Sequence, residues 1–134
     1  MRAMPIYRIG EAAELLRVSP DTIRRWVDAG RLTADRDAHG HRTIDGAALA
    51  AFARSLSSSE TPESGWSSAR NRMSGIVTAV ARDGVMAQVE IQAGPFRIVS
   101  LMSREAVDDL DLKVGDLAVG VVKSTNVIIE TDRP

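Results

Sequence analysis

Two short polar segments of the chain have the composition of an anion-binding site. They are Ser68-Ala69-Arg70-Asn71 and Lys123-Ser124-Thr125, and each combines one cation with side-chain donors and no carboxylate. A small dianion that leaves water needs hydroxyls, backbone N–H groups and one or two cations, without competing negative charge. The segments are therefore candidates for oxyanion binding, and ordinary polar turns are the alternative.

A predicted helix near the N-terminus carries side chains suited to nucleic acid. The helix begins at Ser19-Pro20, a suitable N-cap and first-turn pair, and ends before Gly30. Its apolar residues fall on one side, and its opposite face carries Asp21, Thr22, Arg24, Arg25 and Asp28. Arginine binds guanine edges bidentately or binds phosphate. A helix face in contact with solvent alone is the other interpretation.

The residues give little support to catalysis or metal binding. The chain has no cysteine, which excludes a disulfide framework, a thiolate metal site and a cysteine nucleophile. No acid/base pair stands near a credible nucleophile, and no glycine-rich phosphate loop carries a lysine, so we expect no enzyme. His39 and His41 have no accompanying metal-ligand pattern, so we expect no directly coordinated metal cation.

The polar segment over residues 57–65 divides the 134-residue chain into two halves. We predict a domain over residues 1–56, a linker over residues 57–66 and a second domain over residues 67–134. The first domain carries nine arginines and seven acidic residues, a balance of +2. Each half is near the lower size limit for a stable domain, so we expect a homo-oligomer, at least a dimer.

The apolar patterning also bears on the compartment. Hydrophobic residues make up 44% of the chain, enough for a packed core. The longest apolar run is far too short to cross a membrane, and the first residues lack the pattern of a secretory signal. We therefore expect a cytoplasmic protein without a membrane partner.

The first half is predicted to be an all-α domain with a helix-turn-helix pattern. An apolar stripe at helical spacing, formed by Ile9, Ala12, Ala13 and Leu16, precedes the arginine-bearing helix. Short strands over residues 32–34 and 43–44 are expected to flank a glycine-containing hairpin tip. Asp45 is expected to cap a third, alanine-rich helix.

The second half is predicted to be an all-β barrel of the oligonucleotide/oligosaccharide-binding (OB) type. Five short strands are expected over residues 73–81, 85–92, 96–102, 117–122 and 126–130, with helical turns over residues 104–110. Gly84 is expected to supply a positive φ in the first turn.

The first half resembles the winged-helix DNA-binding domain of MerR-type and excisionase-type regulators. The resemblance covers residues 6–56, and its motifs are Tyr7-Arg8-Ile9-Gly10-Glu11-Ala12-Ala13, Val18-Ser19-Pro20-Asp21-Thr22-Ile23-Arg24-Arg25-Trp26, Gly30-Arg31-Leu32 and Gly40-His41-Arg42. It implies double-stranded DNA as the partner, with Thr22, Arg24 and Arg25 in the major groove and His41 and Arg42 on the wing. MerR-type wings often continue into an arginine and an aromatic residue, where this chain has Thr43-Ile44. We expect this wing to bind the DNA phosphates more weakly, so that two or more copies of the protein are needed on one DNA.

The second half resembles the molbindin domains, which are molybdate-binding barrels. The motifs are Ser68-Ala69-Arg70-Asn71-Arg72-Met73-Ser74-Gly75-Ile76-Val77, the stretch Ser103-Arg104-Glu105-Ala106-Val107-Asp108-Asp109-Leu110-Asp111-Leu112-Lys113-Val114-Gly115-Asp116, and Val122-Lys123-Ser124-Thr125-Asn126-Val127-Ile128. The resemblance implies molybdate or tungstate bound between barrels. Its predicted site residues are Ser68, Ala69, Arg70, Asn71, Ser103, Lys123 and Ser124. Ala106 stands where members commonly carry a serine ligand.

The two resemblances together suggest a transcriptional regulator that senses molybdate through one half and binds DNA through the other. One alternative is a molybdate or tungstate store, in which the barrel does the work and the helical half tethers it. Another is a DNA-binding protein whose barrel only oligomerises it.

Overall fold

A computed structural model of the protein describes residues 5–56 and 67–132. These residues form two compact units, one on each side of residues 57–66. The predicted linker lies outside the described residues. In the described part of the chain, no helix combines the length and apolar character needed to cross a bilayer.

The N-terminal unit combines three helices with a small antiparallel sheet. Its elements are β1 (Ile6–Arg8), α1 (Ile9–Leu16), α2 (Pro20–Asp28), β2 (Asp35–Arg36), β3 (Arg42–Asp45) and α3 (Gly46–Leu56). The strand order is β1-β3-β2. Ile23 of α2 and Ile44 of β3 are fully buried in one core with Leu49 and Phe52 of α3. The core therefore fixes α2 and the β2–β3 hairpin relative to each other.

Local signals set the helix ends, and those at Ser19, Gly30 and Asp45 are predicted by the sequence. Arg17 adopts a left-handed conformation with φ of 57° and ends α1. The Ser19 hydroxyl accepts a hydrogen bond from the Thr22 N–H at 3.1 Å, and Pro20 follows as the first residue of α2. Gly30, with φ of 76°, follows the end of α2. The Asp45 carboxylate accepts a hydrogen bond from the Ala48 N–H at 3.2 Å in the first turn of α3.

Two predictions for this unit are corrected by the structure. The unit is not all-α, because β1 pairs with β3 and creates a three-stranded sheet. The first strand of the hairpin is Asp35–Arg36 rather than residues 32–34. Leu32 is instead buried in the core, and its N–H donates to the Trp26 carbonyl at 3.2 Å, which holds this stretch against the end of α2.

The C-terminal unit is a curled antiparallel sheet with one short helix. Its elements are β4 (Asn71–Arg82), β5 (Met86–Ala93), β6 (Phe96–Ser103), α4 (Arg104–Leu110) and β7 (Leu117–Val122). The strand order is β6-β5-β4-β7. Alternate residues of β5, namely Ala87, Val89 and Ile91, are buried with Val77 of β4 and Val107 of α4. This alternation is the pattern from which the strand was predicted.

Two details of this unit differ from the sequence prediction. Residues 126–130 do not form a strand: a 3-10 turn, Ser124–Asn126, follows β7, and residues 127–130 have no strand assignment. A strand exists only where another strand offers backbone groups, and this segment has no such partner among the described residues of its own chain. Gly84 does not have a positive φ. The Asp83 carboxylate shapes that turn, because it accepts the Val85 and Met86 N–H groups at 2.8 and 2.7 Å.

Candidate functional site

A cationic cleft lies on the N-terminal unit where α1, α2 and the β2–β3 hairpin meet. Its volume is about 460 Å³. Its lining comprises Arg8, Ile9, Gly10, Arg24, Asp28, Arg36, Gly40, His41 and Arg42. Four arginines and a histidine thus face a cleft that contains one carboxylate. Such a surface suits a polyanion.

Exposed ion pairs and one backbone contact orient the arginines of the cleft. Arg24 Nη1 lies 2.6 Å from Asp21 Oδ1, and Arg42 Nη2 lies 3.0 Å from Asp28 Oδ1. Arg36 Nη1 donates to the Gly40 carbonyl at 2.6 Å across the hairpin. Surface pairs of this kind contribute between 0 and about 1 kcal/mol each, so an incoming phosphate can compete for the guanidinium groups.

Asp37 organises the tip of the hairpin. Its Oδ1 accepts the His39 and His41 backbone N–H groups, each at 2.9 Å, and its Oδ2 lies 3.6 Å from the His41 ring. Arg8 Nη2 lies 3.9 Å from the same carboxylate. The hydrogen bond from the His41 N–H, aided by that from the His39 N–H, holds the pKa of Asp37 below its ordinary value. The ionised carboxylate therefore fixes the loop that presents His41.

The predicted DNA-binding residues divide into two groups. Arg24, His41 and Arg42 line the cleft, whereas Thr22 and Arg25 lie together on α2, where Arg25 Nη2 donates to Thr22 Oγ1 at 3.2 Å. Sequence reasoning missed Arg8 and Arg36, which the fold brings into the same cleft. Arg8 directly precedes the first apolar helical stripe, and Arg36 lies in the predicted hairpin. The sequence therefore indicates the element to which each arginine belongs, but it does not predict that the two arginines converge on one cleft.

In the C-terminal unit, the two candidate anion-binding segments meet at one end of the sheet. β4 and β7 pair antiparallel with Asn71 opposite Val122, and Asn71 Nδ2 donates to the Val122 carbonyl at 3.1 Å. Arg70 directly precedes Asn71 in the sequence, and Lys123 directly follows Val122. Both are exposed. Among residues 67–132, neither has a carboxylate within salt-bridge distance.

The residues on either side of these cations give the site its shape. Ala69 is buried, and its N–H donates to the Ser67 hydroxyl at 3.1 Å, which anchors the segment before β4. Ser68 is exposed beside it. Lys123 begins the 3-10 turn that contains Ser124. The end of the sheet therefore presents two cations and two exposed hydroxyls, with no carboxylate of residues 67–132 within salt-bridge distance of the cations, which is a suitable environment for a dianion.

Ser103 lies at the opposite end of the sheet. It pairs with Met86 at the start of β5, next to the end of β4 at Arg82, which is roughly 35 Å along the strand from Asn71. Its hydroxyl accepts the Ala106 N–H at 3.1 Å as the N-cap of α4, so its own O–H remains available to donate. The strand pairing thus brings six of the seven predicted oxyanion-binding residues to the end of the sheet where β4 begins, whereas Ser103 lies at the level where β4 ends.

No group of three or more histidine, cysteine, aspartate or glutamate side chains suited to a metal ion occurs in residues 5–56 and 67–132.

Each unit matches one known protein family. The model of the MerR family regulatory protein matches residues 8–44, and the model of the TOBE domain matches residues 67–129. The chain is thus a MerR-type helix-turn-helix domain joined to a TOBE domain, which confirms the pairing that the sequence motifs suggest.

Two proteins with molybdenum in their names are similar to about half of the chain. Molybdenum-pterin-binding protein 3 of Clostridium pasteurianum is 40% identical over 63 residues, which cover 46% of this chain and 93% of that protein. The chain therefore belongs to the molbindin family. The molybdenum transport protein ModE of Herbaspirillum seropedicae is 36% identical over 66 residues, 48% of this chain. The chain spans only 24% of the length of that ModE protein.

Two solved structures are also similar to about half of the chain. The molybdate-binding protein of Sporomusa ovata has a TM-score of 0.47 and 28% identity, and the match covers 48% of this chain and 97% of that one. MopII of Clostridium pasteurianum, solved without ligand, has a TM-score of 0.46 and 38% identity, covering 48% and 98%.

Proposed function

We propose that this protein is a molybdate-responsive, DNA-binding transcriptional regulator of the cytoplasm. The observation that carries the proposal is the presence in one chain of two separate surfaces with cationic side chains. One is the arginine-lined cleft of a MerR-type unit, and the other is the Arg70–Lys123 end of a molbindin sheet. A polyanion suits the first surface and a small dianion suits the second.

The proposed ligand is molybdate, with tungstate as a close analogue. Molybdenum appears in the names of the relatives that match the C-terminal unit at 36–40% identity. Arg70 and Lys123 supply the charge, and Ser68 and Ser124 supply hydroxyl donors. Ala69 and Asn71 hold the segment before β4 in place. The cost of removing the dianion from water is offset by these charge-assisted hydrogen bonds.

The proposed site is completed by a second copy of the chain. One copy supplies the Arg70–Lys123 end of its sheet, and another supplies Ser103. The strand register supports this arrangement, because it places the Arg70–Lys123 end beside the start of β4 and Ser103 at the level of its end. Molybdate binding then requires a homo-oligomer.

The N-terminal unit is proposed to bind double-stranded DNA. α2 enters the major groove with Thr22, Arg24 and Arg25, and the β2–β3 hairpin acts as the wing that carries His41 and Arg42 to the phosphate backbone. The unit's balance of only +2 suggests that two or more copies bind one operator. Molybdate bound between copies would set how many DNA-binding units act together, and hence their effective concentration.

The experiment is a calorimetric titration of the full chain with molybdate, tungstate and sulfate, followed by selection of bound sequences from random duplex DNA. We expect saturable binding of molybdate in preference to sulfate, and enrichment of a defined DNA sequence. Molybdate binding without DNA enrichment would indicate a store. DNA enrichment without binding of any oxyanion would indicate that the sheet serves only to oligomerise the protein.

A further inference from the structure

The first turn of α2 carries an exposed carboxylate on the helix that is proposed to enter the DNA groove. Asp21 is the second residue of α2, and its side chain is 87% exposed. Thr22 and Arg24, two of the residues proposed for the major groove, lie within one helical turn of it. DNA phosphates repel a carboxylate, so Asp21 weakens the attraction of α2 for DNA of any sequence.

Asp21 forms an ion pair with Arg24 at the surface of the helix. Its Oδ1 accepts a hydrogen bond from Arg24 Nη1 at 2.6 Å, and the two residues are three positions apart, so they share one face of α2. The Arg24 side chain is exposed as well. Both groups are therefore open to a further partner while they remain paired with each other.

Other aspartates of the unit connect separate parts of the fold, whereas this one does not. Asp28 Oδ1 lies 3.0 Å from Arg42 Nη2 and links the end of α2 to the hairpin. Asp37 accepts two backbone N–H groups of the hairpin tip. The Asp21–Arg24 pair lies within one helical turn and joins no second element. Because exposed ion pairs of this kind stabilise a fold little, its contribution to the packing of the unit is small.

The pair presents its hydrogen-bonding atoms in a defined order. The Asp21 carboxylate is an acceptor, and the guanidinium beside it has further N–H donors besides the one that Asp21 accepts. In the major groove, a C·G base pair presents the cytosine N4 donor beside the guanine O6 and N7 acceptors. An acceptor next to a two-pronged donor is complementary to that order. Base pairs of A and T alternate acceptors with a donor and add the thymine methyl group, so they do not match it.

We propose that Asp21 and Arg24 together read one C·G base pair for each copy of α2 on the DNA. Asp21 accepts a hydrogen bond from cytosine N4, and Arg24 donates to guanine O6 and N7 while it stays paired with Asp21. Residues near the start of a recognition helix are those that contact base edges. This contact rests on the proposed function, because it requires α2 in the major groove.

The carboxylate provides specificity by repulsion as well as by attraction. At any other base pair, Asp21 lies beside base acceptors and phosphates without the cytosine amino group, which is unfavourable for a negative charge. Loss of the carboxylate should therefore reduce discrimination between sequences without weakening the binding of unrelated DNA. An acidic residue that only stabilised the first turn of α2 would affect binding to all sequences equally.

The test is selection of bound sequences from random duplex DNA by full-length wild type and three variants. Asp21→Asn keeps the shape of the side chain and removes its charge. Arg24→Lys keeps the positive charge but lacks the two-pronged donor. Glu14→Gln is the matched control, because it removes one exposed negative charge from α1, outside the lining of the cleft. Thermal unfolding checks that each variant is folded.

We expect one C·G position of the wild-type motif to lose its preference in Asp21→Asn, and the same position to lose it in Arg24→Lys. Fluorescence anisotropy with duplexes that differ only at this base pair measures the preference. It should fall by at least about 5-fold in each variant, the lower limit for one good bidentate contact. The affinity of Asp21→Asn for unrelated duplex DNA should not fall, and Glu14→Gln should select the wild-type motif.

Three results would overturn this contact while leaving the proposed function intact. A motif of Asp21→Asn identical to that of wild type excludes Asp21 from base recognition. Equal weakening of Asp21→Asn on all sequences indicates a role in helix stability alone. Loss of preference at different positions in Asp21→Asn and Arg24→Lys contradicts a shared base pair. A wild-type protein that selects no motif would instead contradict the proposed DNA binding itself, and this contact with it.

Discussion

Lys123 is the residue at which the proposed anion site can be tested with least disturbance to the fold. It is exposed at the end of β7, next to Arg70, and has no salt bridge among the described residues. Lys123→Met keeps most of the aliphatic stem and removes the ammonium group. The free energy of unfolding should therefore change by less than about 0.5 kcal/mol.

The expected loss of molybdate affinity follows from the charge that is removed. A hydrogen bond to a charged group contributes about 1.5–3 kcal/mol. This range corresponds to roughly a 10- to 150-fold increase in Kd. The larger value applies when the site is desolvated between two copies, and the smaller applies when Lys123 keeps its exposure.

The assay is calorimetric titration of wild type and variant with molybdate, together with thermal unfolding to check the fold. Lys113→Met is the matched control, because Lys113 is the only other lysine and already contacts Asp111 Oδ2 at 3.3 Å. The control should bind molybdate as wild type does. A folded Lys123→Met protein with wild-type affinity would refute the placement of the anion beside β7.

Three further predictions concern other residues. Arg24→Ala and Arg25→Ala should each weaken operator binding by about 1–3 kcal/mol if they contact bases, and should leave molybdate binding unchanged. Fluorescence anisotropy with labelled duplex DNA measures the operator affinity. Wild-type operator affinity in both variants would contradict the role of α2 in DNA binding. Ala106→Ser restores a hydroxyl donor and should tighten molybdate binding in calorimetry, whereas unchanged or weaker binding would argue against an anion near the start of α4. The pKa of Asp37 is lowered in the fold, so its contribution to the free energy of unfolding is complete above the ordinary aspartate pKa of about 3.9. That contribution is lost as the pH falls through the lower folded pKa. The difference in melting temperature between wild type and Asp37→Ala should therefore shrink in acid, and a constant difference would contradict this role.

The elements that sequence reasoning predicted well are those specified by their own residues. The Ser19-Pro20 start of α2 depends on a side-chain cap and a fixed φ, both encoded locally. The alternation of Ala87, Val89 and Ile91 places one face of β5 in the core whatever its neighbours are. These features need no information about the rest of the fold.

The elements that were missed depend on partners distant in sequence. β1 has only three residues and exists because β3 pairs with it, so its own composition gives little signal. Residues 126–130 have the composition of a strand and have no partner strand in residues 5–56 and 67–132. The sequence predicts a turn that depends on Gly84, whereas the Asp83 carboxylate holds it.

In the candidate sites, too, local motifs were sufficient for some residues and long-range packing decided the others. Arg70 and Lys123 were selected from two short motifs, and the register of β4 with β7 places them side by side. Arg8 and Arg36 could not be assigned to the cleft, because their convergence with Arg24 depends on how the hairpin packs against α1 and α2. Motifs identify the chemistry of a site, and long-range pairing determines which residues share it.

The central claim is that molybdate binding and DNA binding are coupled in this protein. The most direct measurement is the affinity of the full chain for its selected operator at increasing molybdate concentration, with sulfate at equal ionic strength as the reference. We predict that molybdate changes the operator Kd, that sulfate does not, and that Lys123→Met shifts the response to higher molybdate concentrations, in line with its weaker molybdate binding. An operator Kd that stays constant across molybdate concentrations that saturate the protein would contradict the account.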